Sequence, residues 1–275
     1  MPTYLTDDAL CLRVTDFSET SQIVALLTRT HGLLPLIAKG SKRQTKKSTM
    51  SGPLDLLTSG QVVFIPAKAS AELGTLAAWE LLNHRTQLRT DLPALNAAML
   101  AAEITTHLLH PHDPHPPLFD ELEATLQLLG GGGTPQRTRA LVAYAKSALE
   151  ESGYAPQFDA CLICHKPITT DTPLRFNPHA GGITCPDCRS PGPTLAPTGK
   201  IAIAHSRLPT PTTLLSQTSE QPAPLQRPAD PAALLAAFTL LLAQIESISS
   251  KPLKTRYLLN SIFLPRPTSP PPITP

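Results

Sequence analysis

The chain has 275 residues, which is long enough for two domains and for a hydrophobic core that needs no disulfide support. Its formal net charge is only +2 at pH 7, which excludes a uniformly cationic protein and confines any nucleic-acid surface to a local patch. The first residues, MPTYLTDDALCLRV, contain neither a basic nor an apolar segment of the kind that directs export, so we expect a cytoplasmic protein.

Five short apolar segments in the first part of the chain predict a small β-barrel. Each is bounded by glycine, proline or polar residues, and Gly32 ends a tight turn between the second and the third. Cys11, inside the first segment, is expected to be a small core residue rather than a nucleophile. A series of short strands like this is typical of an OB-fold barrel. The predicted strands cover residues 9–15, 21–28, 33–40, 54–67 and 72–82.

A run of basic residues, KGSKRQTKK at positions 39–47, lies between two of the predicted strands and is called the basic loop below. It contains no acidic residue and should project from the barrel. Such a loop can neutralise phosphates without reading bases, so we predict that it binds nucleic acid; an ordinary solvated loop is the alternative. The predicted binding residues are Lys39, Lys42, Arg43, Lys46 and Lys47.

Aromatic residues that could stack on bases are few in the predicted barrel. They are Tyr4, Phe17, Phe64 and Trp79. We therefore expect nucleic-acid binding to be mainly electrostatic, weakly sequence-specific and strongly dependent on salt.

From Asp91 onward the hydrophobic pattern changes to that of helices. Asp91 is a candidate N-cap with Pro93 in the first turn, and Pro135 opens a later helix that ends near Gly153. Residues 232–245 form the longest apolar run, which is too short to span a bilayer and predicts a buried helix. Helices are also predicted over residues 118–129 and 251–262, an extended or disordered stretch over 209–231, and a disordered tail over 265–275.

Four of the five cysteines fall in one stretch, CLICHKPITTDTPLRFNPHAGGITCPDC, as two CxxC pairs. In a reducing compartment this spacing predicts zinc, because each CxxC turn presents two thiolates and two such turns complete a tetrahedron. Four thiolates leave no position for water, so we expect a structural ion; reduced free thiols or a redox pair are the alternative. Gly181 and Gly182 allow the sharp bend before the second pair. The predicted ligands are Cys161, Cys164, Cys185 and Cys188.

Other candidate sites in the sequence are weaker. Residues 107–115 concentrate four histidines, but the prolines among them predict a flexible loop rather than a metal site. The glycines at 130–133 precede no Lys-Ser or Lys-Thr pair and predict a linker rather than a phosphate loop. Because no motif of an activated nucleophile or of paired carboxylates is visible, we expect no enzymatic activity.

The opening stretch ALCLRVTDFSETSQIVALLTRTHGLLPLIAKGSKR resembles the N-terminal domain of the RecO family of bacterial DNA repair proteins. The similar segments are DFSETSQIVAL and GLLPLIAKG with the basic residues that follow. The order of barrel, helices, four-cysteine module with its GG pair and closing KPLKTRYLL segment also resembles the family. The resemblance extends to about Phe263.

The resemblance implies a recombination mediator of the RecF pathway that has no enzymatic turnover. Such proteins bind single- and double-stranded DNA, anneal complementary strands, and work with RecR to load RecA onto strands coated by single-strand-binding protein (SSB). They also bind the acidic C-terminal tail of SSB, for which Lys251, Lys254 and Arg256 are the possible partners here; a solvated helix face is the alternative for these residues. For the whole protein, the alternative is a zinc-ribbon DNA-binding regulator without annealing activity.

The predicted domain organisation is of the α+β class. An OB-fold DNA-binding domain is expected over residues 1–82, and an α-helical domain over residues 83–264. The zinc module, residues 158–192, is inserted in the helical domain and is followed by the proline-rich tail at 265–275. We expect the protein to be associated with the nucleoid and to make no contact with a membrane.

Overall fold

The computed structural model describes residues 3–43, 52–67, 71–167, 174–188, 194–195, 208–219, 231–258 and 262–263. Within them, a closed N-terminal β-barrel is followed by a group of helices and by a small sheet next to the four cysteines. The predicted α+β architecture, an OB-like barrel followed by helices with a four-cysteine module, is confirmed.

Five strands close the barrel in the order β1-β2-β3-β5-β4, and β4 pairs back onto β1. Neighbouring strands are antiparallel except β3 and β5, which are parallel. Each observed strand overlaps the segment predicted from its apolar residues, and β1 begins earlier than predicted. The strands are β1 (Leu5–Asp16), β2 (Gln22–Thr28), β3 (Gly32–Ala38), β4 (Ser59–Ile65) and β5 (Gly74–Asn83).

Strand β1 is buried on both of its faces. Ala9 and Cys11 point into the barrel interior, and Leu10 and Leu12 belong to the core formed with the helices. Since full burial of a leucine side chain contributes about 1.5–3 kcal/mol, the outer face of β1 fixes the barrel onto the helices. The expectation that Cys11 is a core residue agrees with its complete burial, which raises the pKa of its thiol to about 12.

Seven helical segments follow the barrel in the described part of the chain. Helices α2, α3 and α4 each have a proline in the first turn, where the missing N–H would have had no partner within the helix. They are α1 (Thr86–Arg89), α2 (Leu92–Leu108), α3 (Pro116–Gly131), α4 (Thr134–Glu151), α5 (Pro211–Ser219), α6 (Pro231–Ser249) and a 3-10 helix (Lys254–Leu258).

The expectation of an extended stretch after residue 209 is wrong for α5. The carboxylate of Glu121, in α3, accepts hydrogen bonds from the backbone N–H and the hydroxyl of Thr212, at 2.9 and 2.6 Å. These bonds satisfy donors in the first turn of α5, and no local pattern reveals them because Glu121 lies far away in sequence. Residues 220–230 and the predicted tail at 265–275 lie outside the described residues.

Helix α6 agrees with the predicted buried helix, although it is longer than the apolar run. By length and composition alone, Ala232–Ser249 could cross a membrane, and half of this window is buried inside the protein. Ala237, Phe238 and Leu241 are completely buried in the core that α6 shares with α2 and α4. A helix covered in this way by its neighbours has the character of a core helix.

Polar contacts complete the junction between barrel and helices. Arg29, after β2, pairs with Asp120 of α3 at 2.5 Å and lies over the ring of Phe119 at 4.5 Å from its centroid. Gly32 has φ +72°, and a Cβ atom there would lie 2.3 Å from the carbonyl oxygen of Asp113, so only glycine fits this approach. The buried guanidinium of Arg85 pairs with Glu123.

Candidate metal centre and nucleic-acid interface

The four predicted ligand cysteines lie together in the structure. Their Sγ atoms are all within 4.8 Å of one another, and those of Cys164 and Cys185 are 3.7 Å apart. A tetrahedral zinc ion with Zn–S bonds of about 2.3 Å would place its sulfur ligands about 3.8 Å apart, so this separation fits the ion. None of the four forms a disulfide. The cluster is therefore compatible with a metal site.

Backbone amides are directed at the thiol of Cys161. The N–H groups of Ile163 and Cys185 point to its Sγ atom at 3.5 and 3.4 Å, the second from the opposite CxxC turn. Desolvation raises the pKa of this thiol, but hydrogen bonds from the amides of Cys164, Cys185 and Ile163 outweigh it and lower the pKa to about 6. Cys161 thus has the thiolate character that a metal ligand requires at neutral pH.

Histidines do not take part in the cluster. His165 is exposed, and its backbone N–H donates to the carbonyl of Cys161 at 2.9 Å. His179 forms a 2.6 Å hydrogen bond through Nδ1 with the hydroxyl of Ser247 in α6. Among the described residues, the four cysteines are the single group of three or more metal-ligating side chains, so no such group is found in the histidine stretch at 107–115.

A three-stranded sheet supports the cysteines, in the order β7-β6-β8. Its strands are β6 (Leu174–Asn177), β7 (Gly182–Thr184) and β8 (Thr194–Leu195). Phe176 stacks on Phe158 at 5.7 Å between centroids, and both rings join the core of the helices. The module therefore packs on the helical region through these apolar contacts as well as through the hydrogen bond between His179 and Ser247.

Gly181 joins this sheet to helix α6. Its φ is +64°, and a Cβ atom would lie 2.6 Å from Nε2 of Gln244, which itself donates to the carbonyl of Tyr154 at 2.8 Å. The adjacent Gly182 would place a Cβ atom 2.8 Å from the side chain of Leu162. The left-handed backbone of the turn before the second CxxC pair thus favours glycine at position 181, and close packing against Leu162 favours it at position 182.

The described part of the basic loop lies against the β1–β2 turn. Lys42 donates its backbone N–H to the carbonyl of Thr20 at 3.2 Å, and its ammonium group lies 2.7 Å from a carboxylate oxygen of Asp16. Lys39 and Arg43 are exposed, and Lys46 and Lys47 lie outside the described residues. The sequence shows no sign of the Lys42–Asp16 pair, which places an acidic group among the predicted DNA-binding residues.

Gln22, a residue that the sequence analysis missed, joins the two ends of the segment that contains the basic loop. Its Oε1 atom accepts hydrogen bonds from the hydroxyl of Ser41 and from the N–H of Leu54, both at 3.0 Å, and its Nε2 atom donates to the carbonyl of Leu54 at 3.3 Å. Gln22 is buried on the same face of β2 as Val24 and Leu26. A glutamine at an inward position of a barrel strand is the pattern that could have revealed it.

Only some of the three basic residues Lys251, Lys254 and Arg256 have side chains available to a partner. Arg256 pairs with Glu246 of α6, whereas the side chains of Lys251 and Lys254 are exposed. Glu103 of α2 accepts hydrogen bonds from the backbone N–H groups of Lys254 and Thr255, at 2.7 and 2.8 Å, and so caps the 3-10 helix. This cap fixes the backbone from which Lys254 projects.

Two family models match the chain. The one described as "Recombination protein O N terminal" matches residues 1–85, and the one described as "Recombination protein O C terminal" matches residues 89–256. An OB-like barrel followed by helices and a four-cysteine centre, matched in this way, defines a DNA repair protein that acts in recombination. The chain belongs to the RecO family.

Curated relatives agree with the family models. The DNA repair protein RecO of Anaeromyxobacter sp. (strain Fw109-5) is 30% identical over 197 residues, which cover 72% of this chain and 75% of the relative. That of Anaeromyxobacter sp. (strain K) is 33% identical over 183 residues, which cover 66% of this chain and 68% of the relative. That of Moorella thermoacetica is 32% identical over 191 residues, with coverages of 69% and 68%. The predicted resemblance to the family is confirmed.

Proposed function

We propose that this protein is a recombination mediator that binds single- and double-stranded DNA, anneals complementary strands, and works with RecR to load RecA onto SSB-coated strands. The observation that supports this function best is the position of Lys39, Lys42 and Arg43 at one end of an OB-like barrel in a chain of the RecO family. Lys46 and Lys47 extend the same run in the sequence.

The proposed mechanism is physical and involves no covalent step. Cationic side chains of the basic loop replace the counterions around DNA phosphates, and their release makes binding strongly dependent on salt. Two strands bound in this way repel each other less, so complementary bases meet more often. Base pairing between the strands supplies the sequence specificity, and the protein needs none of its own.

We further propose that Cys161, Cys164, Cys185 and Cys188 bind zinc. A zinc ion held by four thiolates supplies stability rather than chemistry, because its shell has no position left for water. The ion would tie the two CxxC turns to each other, and the glycine-rich turn between them docks on α6. We assign the module residues 158–192 within a helical domain of residues 83–264, after a DNA-binding domain of residues 1–82.

For the acidic tail of SSB, we propose Lys251 and Lys254 as the main contacts. Both side chains are exposed, that of Lys254 on a capped backbone, while Arg256 has a partner in Glu246 and is expected to contribute less. Binding DNA and SSB-coated strands would place the protein in the cytoplasm, at the nucleoid.

The test is strand annealing without ATP or added metal. Two complementary oligonucleotides, each coated with SSB, are mixed with the protein, and pairing is followed by fluorescence over a salt series. We expect acceleration at low salt that disappears as salt is raised. DNA binding without acceleration would instead favour a DNA-binding regulator, and a search for a preferred sequence would follow.

A variant with Lys42 and Arg43 replaced by alanine tests whether the basic loop holds the DNA. It should slow annealing and flatten the dependence of DNA affinity on salt, since each lost phosphate contact lowers the slope by about 0.9. An unchanged slope would remove the basic loop from the binding site.

A further inference from the structure

The turn between β1 and β2, residues 17–21, presents a large aromatic ring to solvent. Phe17 is 62% exposed. The turn is built by hydrogen bonds from the N–H groups of Phe17 and Ser18 to the carbonyl of Ser21, at 3.0 and 3.2 Å, and by a 3.1 Å bond from the N–H of Ser21 to the hydroxyl of Ser18. A single exposed apolar ring is common on protein surfaces, so its significance depends on the groups around it.

Phe17 lies between two residues that contact Lys42 of the basic loop. Lys42 is bonded to the neighbouring residues of the same turn, through its backbone to Thr20 and through its ammonium group to Asp16. Gly40 donates its N–H to the hydroxyl of Ser21 at 3.4 Å. A DNA strand whose phosphates contact the basic loop therefore passes within reach of Phe17.

The turn itself is unsuited to phosphates. Asp16 and Glu19, next to and two residues after Phe17 in the chain, are exposed, and their carboxylates would repel a phosphate. The face of a base carries no such charge, and an aromatic ring stacks on any base. The charge pattern thus separates a phosphate-binding loop from a base-binding turn.

The other aromatic residues of the barrel lie outside the β1–β2 turn. Phe64 and Trp79 are 1% and 2% exposed, inside the barrel core. Tyr4 is 59% exposed, but it precedes β1, whose first residue Leu5 pairs with Phe64 of β4, and so it lies outside the β1–β2 turn.

We propose that Phe17 stacks on an unpaired base and so gives the barrel a preference for single strands over duplex. In a duplex the faces of the bases are covered by their neighbours, and only the phosphates are available to the basic loop. The proposal rests on the DNA-binding function proposed above and adds to it the residue that distinguishes the two forms of DNA.

The experiment measures the affinity of the full-length chain for a single-stranded oligonucleotide and for a blunt duplex hairpin, by fluorescence anisotropy over a salt series. Phe17→Ala should weaken single-strand binding at least about fivefold at every salt concentration, the effect of one lost stacked base. Its salt slope and its duplex affinity should be unchanged, because no phosphate contact is removed. Phe17→Trp should retain single-strand affinity.

Tyr4→Ala is the matched control, since it removes an equally exposed aromatic ring that does not belong to the β1–β2 turn, and it should bind both forms of DNA as the unaltered chain does. Thermal melting should be unchanged in all three variants. The inference would be overturned if Phe17→Ala bound single strands as tightly as the unaltered chain, or if it lost the same affinity for single strands and for duplex. Either outcome would leave the proposed DNA-binding function standing. Failure of the unaltered chain to bind either DNA at low salt would overturn both.

Discussion

Asp16 shows how one residue can limit a binding surface. Its carboxylate lies 2.7 Å from the ammonium group of Lys42, which is one of the predicted phosphate contacts. The Asp16 side chain is 70% exposed, so the pair is screened by solvent and only weakly stabilising. In the proposed DNA-binding site, the pair would hold a cation away from the phosphates and place a negative charge beside a predicted phosphate contact.

Replacing Asp16 with asparagine should therefore strengthen DNA binding. We expect affinity to rise about twofold to fivefold at low salt, the range of a released surface ion pair, with a steeper salt slope. Glu151→Gln is the control, because it removes the same charge from an exposed position at the end of α4. A similar gain in both variants would mean that net charge, rather than Lys42, is responsible.

Gln22 acts on the basic loop through the backbone. Gln22→Ala would leave the hydroxyl of Ser41 and the backbone groups of Leu54 without their partner, which costs about 1–3 kcal/mol when such groups are buried. We expect lower stability in urea and weaker DNA binding, while Gln61→Ala, at an exposed position of β4, should change neither. Unaltered DNA affinity in a destabilised Gln22→Ala protein would show that the loop does not depend on this anchor.

At the scale of elements, a buried carboxylate connects β1 to the β2–β3 turn. Asp7 accepts hydrogen bonds from the N–H and hydroxyl of Thr30 and pairs with Nδ1 of His31 at 2.7 Å. Burial raises the pKa of Asp7, but the bonds from His31 and Thr30 outweigh it, so the pKa lies below its ordinary value of 3.8. The ionised form is therefore bound more favourably in the folded protein than in the unfolded chain.

This direction determines a pH dependence. A lowered pKa contributes stability that is complete above the ordinary pKa of 3.8 and is lost as the pH falls through the lower, folded-state value. Asp7→Asn should be less stable than the unaltered chain at pH 7, by about 1–3 kcal/mol, and the difference should shrink at the acid end. Urea titrations at several pH values measure this difference in stability. Asp8→Asn is the control and should show little effect, because the Asp8 side chain is half exposed. A stability difference for Asp7→Asn that does not change with pH would contradict the assignment.

The cysteine module is the second element with a testable role. Cys161→Ser should abolish zinc retention and lower the melting temperature by at least about 5 °C, because the free energy of binding a structural ion is part of the free energy of folding. Cys11→Ser is the control: it disturbs the barrel core and should leave the zinc content unchanged. An unchanged melting temperature of the unaltered chain after chelation of the metal would contradict a structural role for the ion.

At the scale of the whole molecule, the outer face of the barrel and the helices share a hydrophobic core that is separate from the barrel interior. Leu10, Leu12, Leu27 and Leu33 of the barrel are buried in the same cluster as the helices. Exposing the four leucines would cost about 1.5–3 kcal/mol each, in total comparable to the entire stability of an ordinary domain. The barrel thus depends on the helical part for the burial of its outer surface.

A fragment of residues 1–85 should therefore self-associate or lack a cooperative thermal transition, as judged by size-exclusion chromatography and circular dichroism. Changing the four leucines to serine should reduce the association, since it removes the apolar face while the barrel interior stays intact. A monomeric fragment that melts like the full chain would show that the shared core is dispensable.

The amino-acid sequence by itself determined the features that depend on neighbouring residues. Short apolar segments predicted the five strands, prolines marked the starts of α2 and α4, and the two CxxC pairs identified the four cysteines that cluster. These patterns are local, because strand and helix periodicity and the geometry of a CxxC turn act within a few residues. The basic loop was also visible as a run of charge.

Only the tertiary structure decided the contacts that give these elements their roles. Gln22 meets Leu54, Lys42 meets Asp16 and Glu121 caps α5, each pair being separated by at least twenty-six residues. The tertiary structure also decided which aromatic rings are exposed. Phe17 is exposed in the turn that contacts Lys42, whereas Phe64 and Trp79 are buried inside the barrel. Such contacts depend on strand register and on the packing of helices against the barrel, which no local pattern encodes.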